Sequence, residues 1–328
     1  MKTPDLSIVI VSFNTKDLLD ECLQSVERET QGLNSETLVV DNASTDGSPE
    51  MVRQRYPQVR LLCSPVNLGF APANNRAFEL ARGRYVVLLN SDAFLQPQSL
   101  RLALDRMEAN PNVGLAGGRL SGRDGAWQPS ARAFPSFFND LINLSGLAAR
   151  FPQSRLWGRI DRTWADPGQA AAVDWVPGAF AIVRRQLLED IGRFDGRMFL
   201  YFEEVDLCRR VRDAGYQVYY WPDIEIVHIG GESSKTIRRL SMSSSGAQLT
   251  LWRMRSELLY YRKHHGRSGA WAKKMLESAW HRIRGWRHQA PADCNAESKR
   301  EESLAIVQLM RQAWRETGGG LKAPAHPW

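Results

Sequence analysis

The chain has 328 residues, enough for one large domain or two modest ones with a sizeable core. Its 43% hydrophobic and 24% charged residues are typical of an ordinary soluble globular protein, and no stretch approaches the roughly 20 apolar residues of a membrane-spanning helix. The four cysteines lie far apart without metal-ligand spacing, so we expect reduced thiols in a cytosolic protein. The apolar run 6–13 has no small-residue cleavage site after it and is interpreted as a buried strand rather than a signal peptide.

The first 118 residues alternate predicted strands with predicted helices. Short apolar runs bounded by turn residues predict five strands, at residues 6–11, 37–40, 59–63, 85–89 and 113–117. Helical spacing of apolar residues follows these runs, after Asn14, from about residue 49, and at 73–81 and 98–108. This βαβα order predicts an α/β fold with a mostly parallel, doubly wound sheet flanked by helices.

The remainder of the chain is less regular. Residues 119–172 show no clear period, and we expect irregular structure there. Later segments predict strands at 175–183, 217–221 and 224–228 and helices at 185–191, 206–214, 249–263, 270–287 and 297–315. We therefore expect one α/β domain at 1–235, divided near residue 118, and a helical basic extension at 236–328.

Carboxylates and amides follow the predicted strands of the first third. These residues are Asn14, Asp41, Asn42, Asn67 and Asp92. Any one of them is more simply explained as a turn former or a helix cap, because Asn and Asp favour those positions for local reasons. Since ligands of open α/β sheets bind outside the carboxyl ends of the strands, five such groups along one edge favour a ligand site.

Two acidic signals together indicate an enzyme. Asp92 closes the apolar run 85–89, and Glu203, Glu204 and Asp206 lie at the start of a predicted helix. One acid that holds a metal and another that accepts a proton are what a metal-assisted group transfer needs. The alternative for the second signal is an acidic helix N-terminus stabilised by the helix dipole.

An ordered series of motifs over about residues 5–235 resembles the family 2 glycosyltransferases with the GT-A fold, particularly the rhamnosyltransferase-like branch of bacterial polysaccharide synthesis. The motifs are SIVIVSFN at 7–14, VVDNASTDG at 39–47, NLGF at 67–70, LLNSD at 88–92, GAF at 178–180, FEEVDLC at 202–208 and VH at 227–228. The resemblance implies a nucleotide-sugar-binding half at 1–118 and an acceptor and catalytic half at 119–235.

The resemblance also implies roles for individual residues. Contacts to the base, ribose and diphosphate of the donor would come from Val11, Ser12, Asn14, Asp41, Asn42, Asn67, Gly69, Asn74, Asn90 and Ser91. Residues 90–92 stand at the family's D-x-D motif, so Asp92 would bind Mg²⁺ or Mn²⁺ directly, while Asn90 replaces the first Asp and removes one negative charge. His228 would be a second metal ligand, although a lone histidine beside a strand is more often structural.

The catalytic base is implied at the E-D-x-D pattern. The second acid of that pattern removes the acceptor proton, which assigns the base to Glu204, with Asp206 as the other catalytic acid of the motif. Three acids within four residues also raise one another's pKa, which suits a base that works near neutral pH.

The tail carries the excess positive charge. Residues 236–328 contain 17 Lys and Arg against 7 Asp and Glu, and six of the 11 tryptophans. In the predicted helix 270–287 one face is apolar, and Lys273, Lys274, Arg284 and Arg287 lie largely on the other sides. This pattern is typical either of a membrane-surface helix or of a helix packed on the domain with a solvated basic face, and nucleic-acid binding is a weaker alternative because no recognition motif accompanies the charge.

We therefore expect an inverting, metal-dependent glycosyltransferase. The donor would be a dTDP- or UDP-sugar, first of all dTDP-rhamnose, and the acceptor a saccharide or polyprenyl-linked saccharide of cell-surface polysaccharide synthesis, without nucleic acid. The alternatives are a nucleotidyltransferase, which would need a Gly-rich basic phosphate loop where this chain has residues 12–14, and a non-catalytic nucleotide-sugar-binding protein. We expect a cytoplasmic protein in peripheral contact with the anionic inner face of the plasma membrane.

Overall fold

Apolar runs of the first third form four parallel strands. The computed structural model describes residues 3–230, 246–287 and 294–325. The four strands are β1 (Leu6–Ser12), β2 (Ser35–Asp41), β3 (Arg60–Cys63) and β4 (Tyr85–Asn90), in the spatial order β3-β2-β1-β4. Helices α1 (Lys16–Glu29), α2 (Ser48–Arg55) and α3 (Phe70–Phe78) connect them. The register places Ser12 beside Asp41 and Val11 beside Asn90, so these strand ends are neighbours.

The sheet continues on the other side of β4 with mixed strand directions. The remaining strands are β5 (Ala93–Leu95), β6 (Val113–Ser121), β7 (Trp127–Gln128), β8 (Ala171–Val173), β9 (Phe180–Arg184) and β10 (Gln217–His228). The full order is β3-β2-β1-β4-β9-β6-β10-β5, with β7 on β6 and β8 on β10. The expected parallel arrangement therefore holds for β1 to β4 and for the pair of β6 and β10, whereas β9 runs antiparallel to both β4 and β6. The apolar run at 180–184 specifies a strand but not its direction, because direction depends on its partners.

Helices that follow these strands include α4 (Ser99–Ala109), α7 (Arg185–Ile191) and α8 (Glu203–Asp213). The segment expected to be irregular also contains α5 (Phe137–Ser145) and α6 (Leu147–Arg150). The side chain of Ser136 caps α5 by accepting a hydrogen bond from the Asn139 amide, a local helix start that the scattered aromatic residues obscure in the sequence. The two short strands expected at 217–221 and 224–228 are one strand, β10, whose pairing with β6 is irregular between Trp221 and Glu225.

The chain forms two compact units. The first comprises residues 1–134, 151–196 and 204–236 and contains the sheet; the second comprises 135–150, 197–203 and 237–328. The predicted boundary between residues 235 and 236 lies outside the described residues. The second unit contains α9 (Gly246–Arg287), which is interrupted at Gly266 where φ is 69°, and α10 (Cys294–Glu316), so the expected helical extension is present. In the described part of the chain, no helix has the length and apolar character needed to cross a membrane.

Candidate functional site

Hydroxyl groups connect the carboxyl ends of β1 and β4. The Ser12 and Thr15 hydroxyls lie 3.0 Å apart, and the Thr15 hydroxyl donates to the Ser91 hydroxyl at 3.0 Å. All three side chains are buried, because the strands before them are covered by helices. The backbone amide of Asn42 donates to the Ser12 carbonyl at 2.8 Å, so the end of β2 is tied to the same place. These bonds hold the three strand ends at one edge of the sheet.

Two buried side-chain oxygen atoms at this edge have no hydrogen-bond partner among the residues that the structure describes. Asp41 accepts from the Ser44 amide with Oδ2 at 3.1 Å, but its Oδ1 is unpartnered. The side-chain Oδ1 of Asn90 is also buried and unpartnered. Since a buried polar atom without a partner costs about 1–3 kcal/mol, such atoms need an explanation, and a ligand that donates N–H or O–H groups provides one.

The assigned amides of the neighbouring loop contact the protein itself. Asn42 donates to the Asn67 side chain at 2.7 Å and to the Gly69 carbonyl at 3.2 Å, and its oxygen accepts from the Leu68 amide at 2.8 Å. Asn74 donates to the Phe70 carbonyl at 2.9 Å. These side chains therefore fix the loop that precedes α3. Any contact that they make with a ligand is additional to this structural role.

Asn14 has a similar part in the loop after β1. Its backbone lies in the left-handed region, with φ at 52°, which asparagine tolerates better than most residues. Its side-chain oxygen accepts a hydrogen bond from the backbone N–H of Thr45 at 2.8 Å, and its own backbone N–H donates to the Ser44 hydroxyl at 3.0 Å. Asn14 thus joins the loops that follow β1 and β2.

The predicted metal ligands are adjacent. Nε2 of His228 lies 3.5 Å from Oδ1 of Asp92. The antiparallel pairing of β10 with β5 sets His228 opposite Ala93, and the Ile229 amide donates to the Asp92 carbonyl at 3.0 Å. Burial lowers the pKa of His228, with the Asp92 carboxylate partly opposing it, and this favours the neutral imidazole that binds metals.

Gln128 fixes the histidine ring. Its side-chain oxygen is 2.9 Å from Nδ1 of His228, and its side-chain nitrogen donates to the His228 carbonyl at 2.7 Å. A proton on Nδ1 that donates to Gln128 leaves the lone pair of Nε2 directed to the side where Asp92 lies. Sequence reasoning missed Gln128, because a single glutamine in the irregular stretch carries no signal.

The residues present fit a divalent cation. Two ligands of one ion at about 2.1 Å lie about 3 Å apart when they subtend a right angle, close to the separation of Asp92 Oδ1 and His228 Nε2. Among the described residues, no group of three or more His, Cys, Asp and Glu side chains could hold a metal by itself. A carboxylate with one imidazole is an incomplete donor set, which suits an ion that takes its other ligands from a substrate or water.

Glu204 is a further acid with a side-chain oxygen that lacks a hydrogen-bond partner among the described residues. Burial raises the pKa of Glu204, while the charge of Arg132 and backbone N–H groups of Gly178, Glu204 and Val205 pull it down. Its Oε2 is buried without a hydrogen-bond partner. The carbonyl of Ala179 accepts a hydrogen bond from the backbone N–H of Asn90 at 3.1 Å. Gly178, which contacts the Glu204 carboxylate, and Ala179 therefore link Glu204 to the end of β4.

Asp206 has a different environment. It is fully buried and its Oδ2 accepts from Nε of Arg210 at 2.9 Å. The same guanidinium donates to the carbonyl groups of Ile191 at 2.9 Å and Arg193 at 2.6 Å. Asp206 thus orients an arginine that holds the segment after α7, a role that the sequence motif does not reveal.

The chain has relatives among sugar-transferring proteins. The family model described as "Glycosyl transferase family 2" matches residues 7–192. An N-acetylglucosaminyl-diphospho-decaprenol L-rhamnosyltransferase of Mycobacterium tuberculosis (strain ATCC 25618 / H37Rv) is 32% identical over 237 residues, which cover 69% of this chain and 76% of the relative. The succinoglycan biosynthesis protein ExoO of Rhizobium meliloti (strain 1021) is 33% identical over 109 residues, which cover 33% of this chain and 31% of that protein.

A solved structure shares the fold. It is the mannosyltransferase PcManGT from Pyrobaculum calidifontis in complex with GDP-Man and Mn²⁺, with a TM-score of 0.54 and 19% identity over 95% of this chain and 88% of that one. The mixed sheet with its flanking helices thus has a GT-A-like fold. The chain belongs to glycosyl transferase family 2. Its activity is glycosyl transfer from a nucleotide sugar, and neither a nucleotidyltransferase nor a non-catalytic binder is favoured.

Proposed function

We propose that this glycosyltransferase inverts the anomeric centre and uses dTDP-rhamnose as its donor and a saccharide or polyprenyl-linked saccharide as its acceptor. The mycobacterial relative, described as a rhamnosyltransferase acting on a diphospho-decaprenol-linked sugar, supports both choices. The same relative and the succinoglycan biosynthesis protein support a role in cell-surface polysaccharide synthesis. The observation that carries the chemistry is the buried, unpartnered Oε2 of Glu204 with its raised pKa.

The donor is proposed to bind along the strand ends. The unpartnered Oδ1 of Asp41 would accept an N–H of the base, with Val11 and Ser12 beside it at the end of β1. The loop held by Asn42, Asn67 and Gly69, together with Asn14 and Asn74, would line the ribose and diphosphate, and Asn90 and Ser91 would contact the sugar nucleotide at the end of β4. Backbone N–H groups at the start of α3 suit the negative charge of a diphosphate.

The same site is proposed to hold Mg²⁺ or Mn²⁺ on Asp92 and His228, whose atoms are 3.5 Å apart. Hard oxygen ligands and one neutral imidazole suit either ion. When bound, the ion supplies positive charge that stabilises the departing diphosphate. Gln128 keeps the His228 ring oriented, and Asn90 contributes a neutral amide where a carboxylate would add charge.

Glu204 is proposed as the general base. Its carboxylate takes the proton of an acceptor hydroxyl while that oxygen attacks the anomeric carbon of the donor. The new bond joins the acceptor oxygen to the anomeric carbon, the bond from that carbon to the diphosphate oxygen breaks, and the diphosphate leaves with its electron pair. Asp206 would act indirectly, because it accepts a hydrogen bond from Arg210, which holds the backbone at the end of α7.

The division of labour along the chain is part of the proposal. Residues 1–235 would form the glycosyltransferase domain, with donor contacts in 1–118 and the base in 119–235, and 236–328 would be a basic extension. The 17 Lys and Arg against 7 Asp and Glu in this extension support a cytoplasmic protein that associates peripherally with anionic membrane.

Turnover of purified protein with a panel of dTDP-, UDP- and GDP-sugars tests the proposal. With Mn²⁺ or Mg²⁺, dTDP-rhamnose should give transfer to a lipid-linked saccharide or slow release of dTDP. The Glu204→Gln protein, prepared in parallel, is the matched control for contaminating activity. Transfer with another donor would contradict the rhamnose assignment, and neither transfer nor donor hydrolysis across the panel would contradict the proposed function as a whole.

A further inference from the structure

The second half of α9, residues 267–287, presents an apolar face to solvent. Four large side chains at helical spacing are exposed: Trp271 by 54%, Met275 by 37%, Ile283 by 52% and Trp286 by 69%. The smaller Ala279 lies between them on the same side. We call these five residues the outer face. Met275, Ala279, Ile283 and Trp286 belong to the apolar face that the sequence predicts, and Trp271 is an addition to it. The other members of the predicted face, Ala272 and Leu276, are only partly exposed.

The opposite side of this helix segment is charged and buried. Nζ of Lys273 lies 2.9 Å from Glu257, 2.9 Å from Glu277 and 3.1 Å from Asp140. Lys273 is only 3% exposed, and the three acids are also buried. The sequence-based expectation that Lys273 lies on a solvated or lipid-facing side is therefore wrong. Three buried acids surround its ammonium group, and the pattern of the helix alone does not show that acids from elsewhere in the chain lie there.

This arrangement reverses the usual orientation of a surface helix. Apolar side chains ordinarily turn inward and charged ones outward, since burial of apolar area stabilises the fold. Here the ion pairs of Lys273 with Asp140 and Glu257 fix the charged side inward, because rotation of the segment about its axis would separate Lys273 from both buried carboxylates. The outer face therefore cannot be hidden by turning the helix, and an apolar surface held in water in this way is typical of a binding surface.

The charge around the outer face selects the partner. Residues 262–287 contain eight Lys and Arg and one acid, and that acid is the buried Glu277. Arg267, Arg282 and Arg287 are exposed next to the outer face. Two copies of this surface would bring like charges together, whereas anionic lipid offers opposite charge and an apolar layer below it. Tryptophans at both ends of an apolar stripe with flanking arginines are the composition of a helix that lies in the membrane interface.

We infer that the outer face is the surface by which this protein docks on an anionic lipid membrane. Trp271, Ile283 and Trp286 insert among the acyl chains near the headgroups, and the neighbouring arginines contact lipid phosphates. The segment is about 30 Å long at 1.5 Å per residue, so it can lie flat in the interface along its whole length. This inference rests on the proposed peripheral association of the extension and names the surface responsible for it.

Vesicle sedimentation of the full chain tests the inference. The wild type should pellet with vesicles of phosphatidylglycerol and phosphatidylcholine and much less with phosphatidylcholine alone. Trp271→Gln combined with Trp286→Gln should lower the partition coefficient on anionic vesicles by about tenfold or more, because two large apolar groups no longer leave water. Leu321→Gln, in the same unit and 59% exposed, is the matched control and should bind as the wild type does.

The possible outcomes separate this inference from the proposed function. Equal pelleting of the double variant and the wild type on anionic vesicles would overturn the outer face as the docking surface. A wild type that does not pellet, but forms a dimer which the double variant abolishes in light scattering, would overturn it in favour of a second copy of the chain. Transfer to a water-soluble acceptor is measured on the same preparations, so loss of glycosyl transfer would be recognised separately from loss of lipid binding.

Discussion

Two buried charged groups, Glu204 in the unit that contains the sheet and Lys273 in the other unit, have opposite surroundings. In the unit that contains the sheet, Asp41 and Glu204 each keep one buried carboxylate oxygen without a hydrogen-bond partner. In the other unit, the ammonium group of Lys273 contacts three carboxylates within 3.1 Å. Since unpaired buried charge destabilises a fold, it persists where a ligand or a reaction uses it, whereas paired buried charge fixes the position of a helix.

Glu204→Gln tests the functional side of this comparison with the largest expected effect. The variant retains the size of the side chain but cannot accept a proton, so turnover should fall by about 10²–10⁴ with donor affinity little changed. Asp206→Asn should instead lower stability by weakening the ion pair with Arg210, and the fraction that remains folded should turn over much faster than Glu204→Gln. Turnover per folded molecule and donor affinity by titration calorimetry distinguish the two.

The reverse result would change the assignment of the base. If Glu204→Gln kept near-normal turnover while Asp206→Asn abolished it in a folded protein, Asp206 would be the base. The unpartnered oxygen of Glu204 would then need another explanation.

Lys273→Met tests the structural side. The three carboxylates would lose their shared cation, so we expect a loss of about 3–5 kcal/mol in the free energy of unfolding at neutral pH. Burial already raises the pKa of Glu257 to about 7. Protonation of this carboxylate removes its unpaired charge in the variant, so the loss in the free energy of unfolding relative to the wild type should shrink as the pH falls. Denaturant unfolding at two pH values measures both effects.

The neighbouring lysine is the matched control. Nζ of Lys274 lies 4.7 Å from the ring centre of Trp314, a contact worth about 0.5–1 kcal/mol. Lys274→Met should therefore cost little, at any pH. Equal losses for the two lysine variants would show that the ion network around Lys273 does not fix the helix.

Gln128→Ala tests whether the site around Asp92 and His228 is built for a metal. Without its partner on Nδ1 the imidazole of His228 can turn, so the affinity for Mn²⁺ in the presence of a nucleoside diphosphate should fall by about 10–100-fold. Gln128→Glu retains an acceptor for the Nδ1 proton and should retain most of the affinity. Unchanged affinity for Mn²⁺ in the Gln128→Ala protein would show that Gln128 does not contribute to metal binding.

The sequence predicts the fold well where the signal is local. The strands β1 to β4 are short apolar runs followed by turn residues, and the expected α/β class with flanking helices is confirmed. The direction of β9 could not be predicted, because it depends on pairing with β4 and β6, far away in the chain. Helix α5 was missed because its start depends on the side chain of Ser136 within a stretch rich in aromatic residues.

The sequence predicts which residues lie at the candidate site, but not which hydrogen bonds and ion pairs each of their side chains makes. Motif order identifies the strand ends, and Ser12, Asp41 and Asn90 do lie together there. The sequence does not show that Asn42 and Asn67 bond to one another, that Gln128 contacts His228, or that Asp206 pairs with Arg210. Each of these facts depends on contacts between distant segments or on burial, which no local pattern encodes.

The pH dependence of turnover in the wild type and in Glu204→Gln tests the central claim most directly. A base must be deprotonated, so turnover falls as the pH drops through the pKa of Glu204. Because burial raises that pKa, the fall should begin above the ordinary range of glutamate, near 4.3, and the residual turnover of Glu204→Gln should lack this acid limb. The same acid limb in both proteins, at the same pH, would contradict the assignment of Glu204 as the group that takes the acceptor proton.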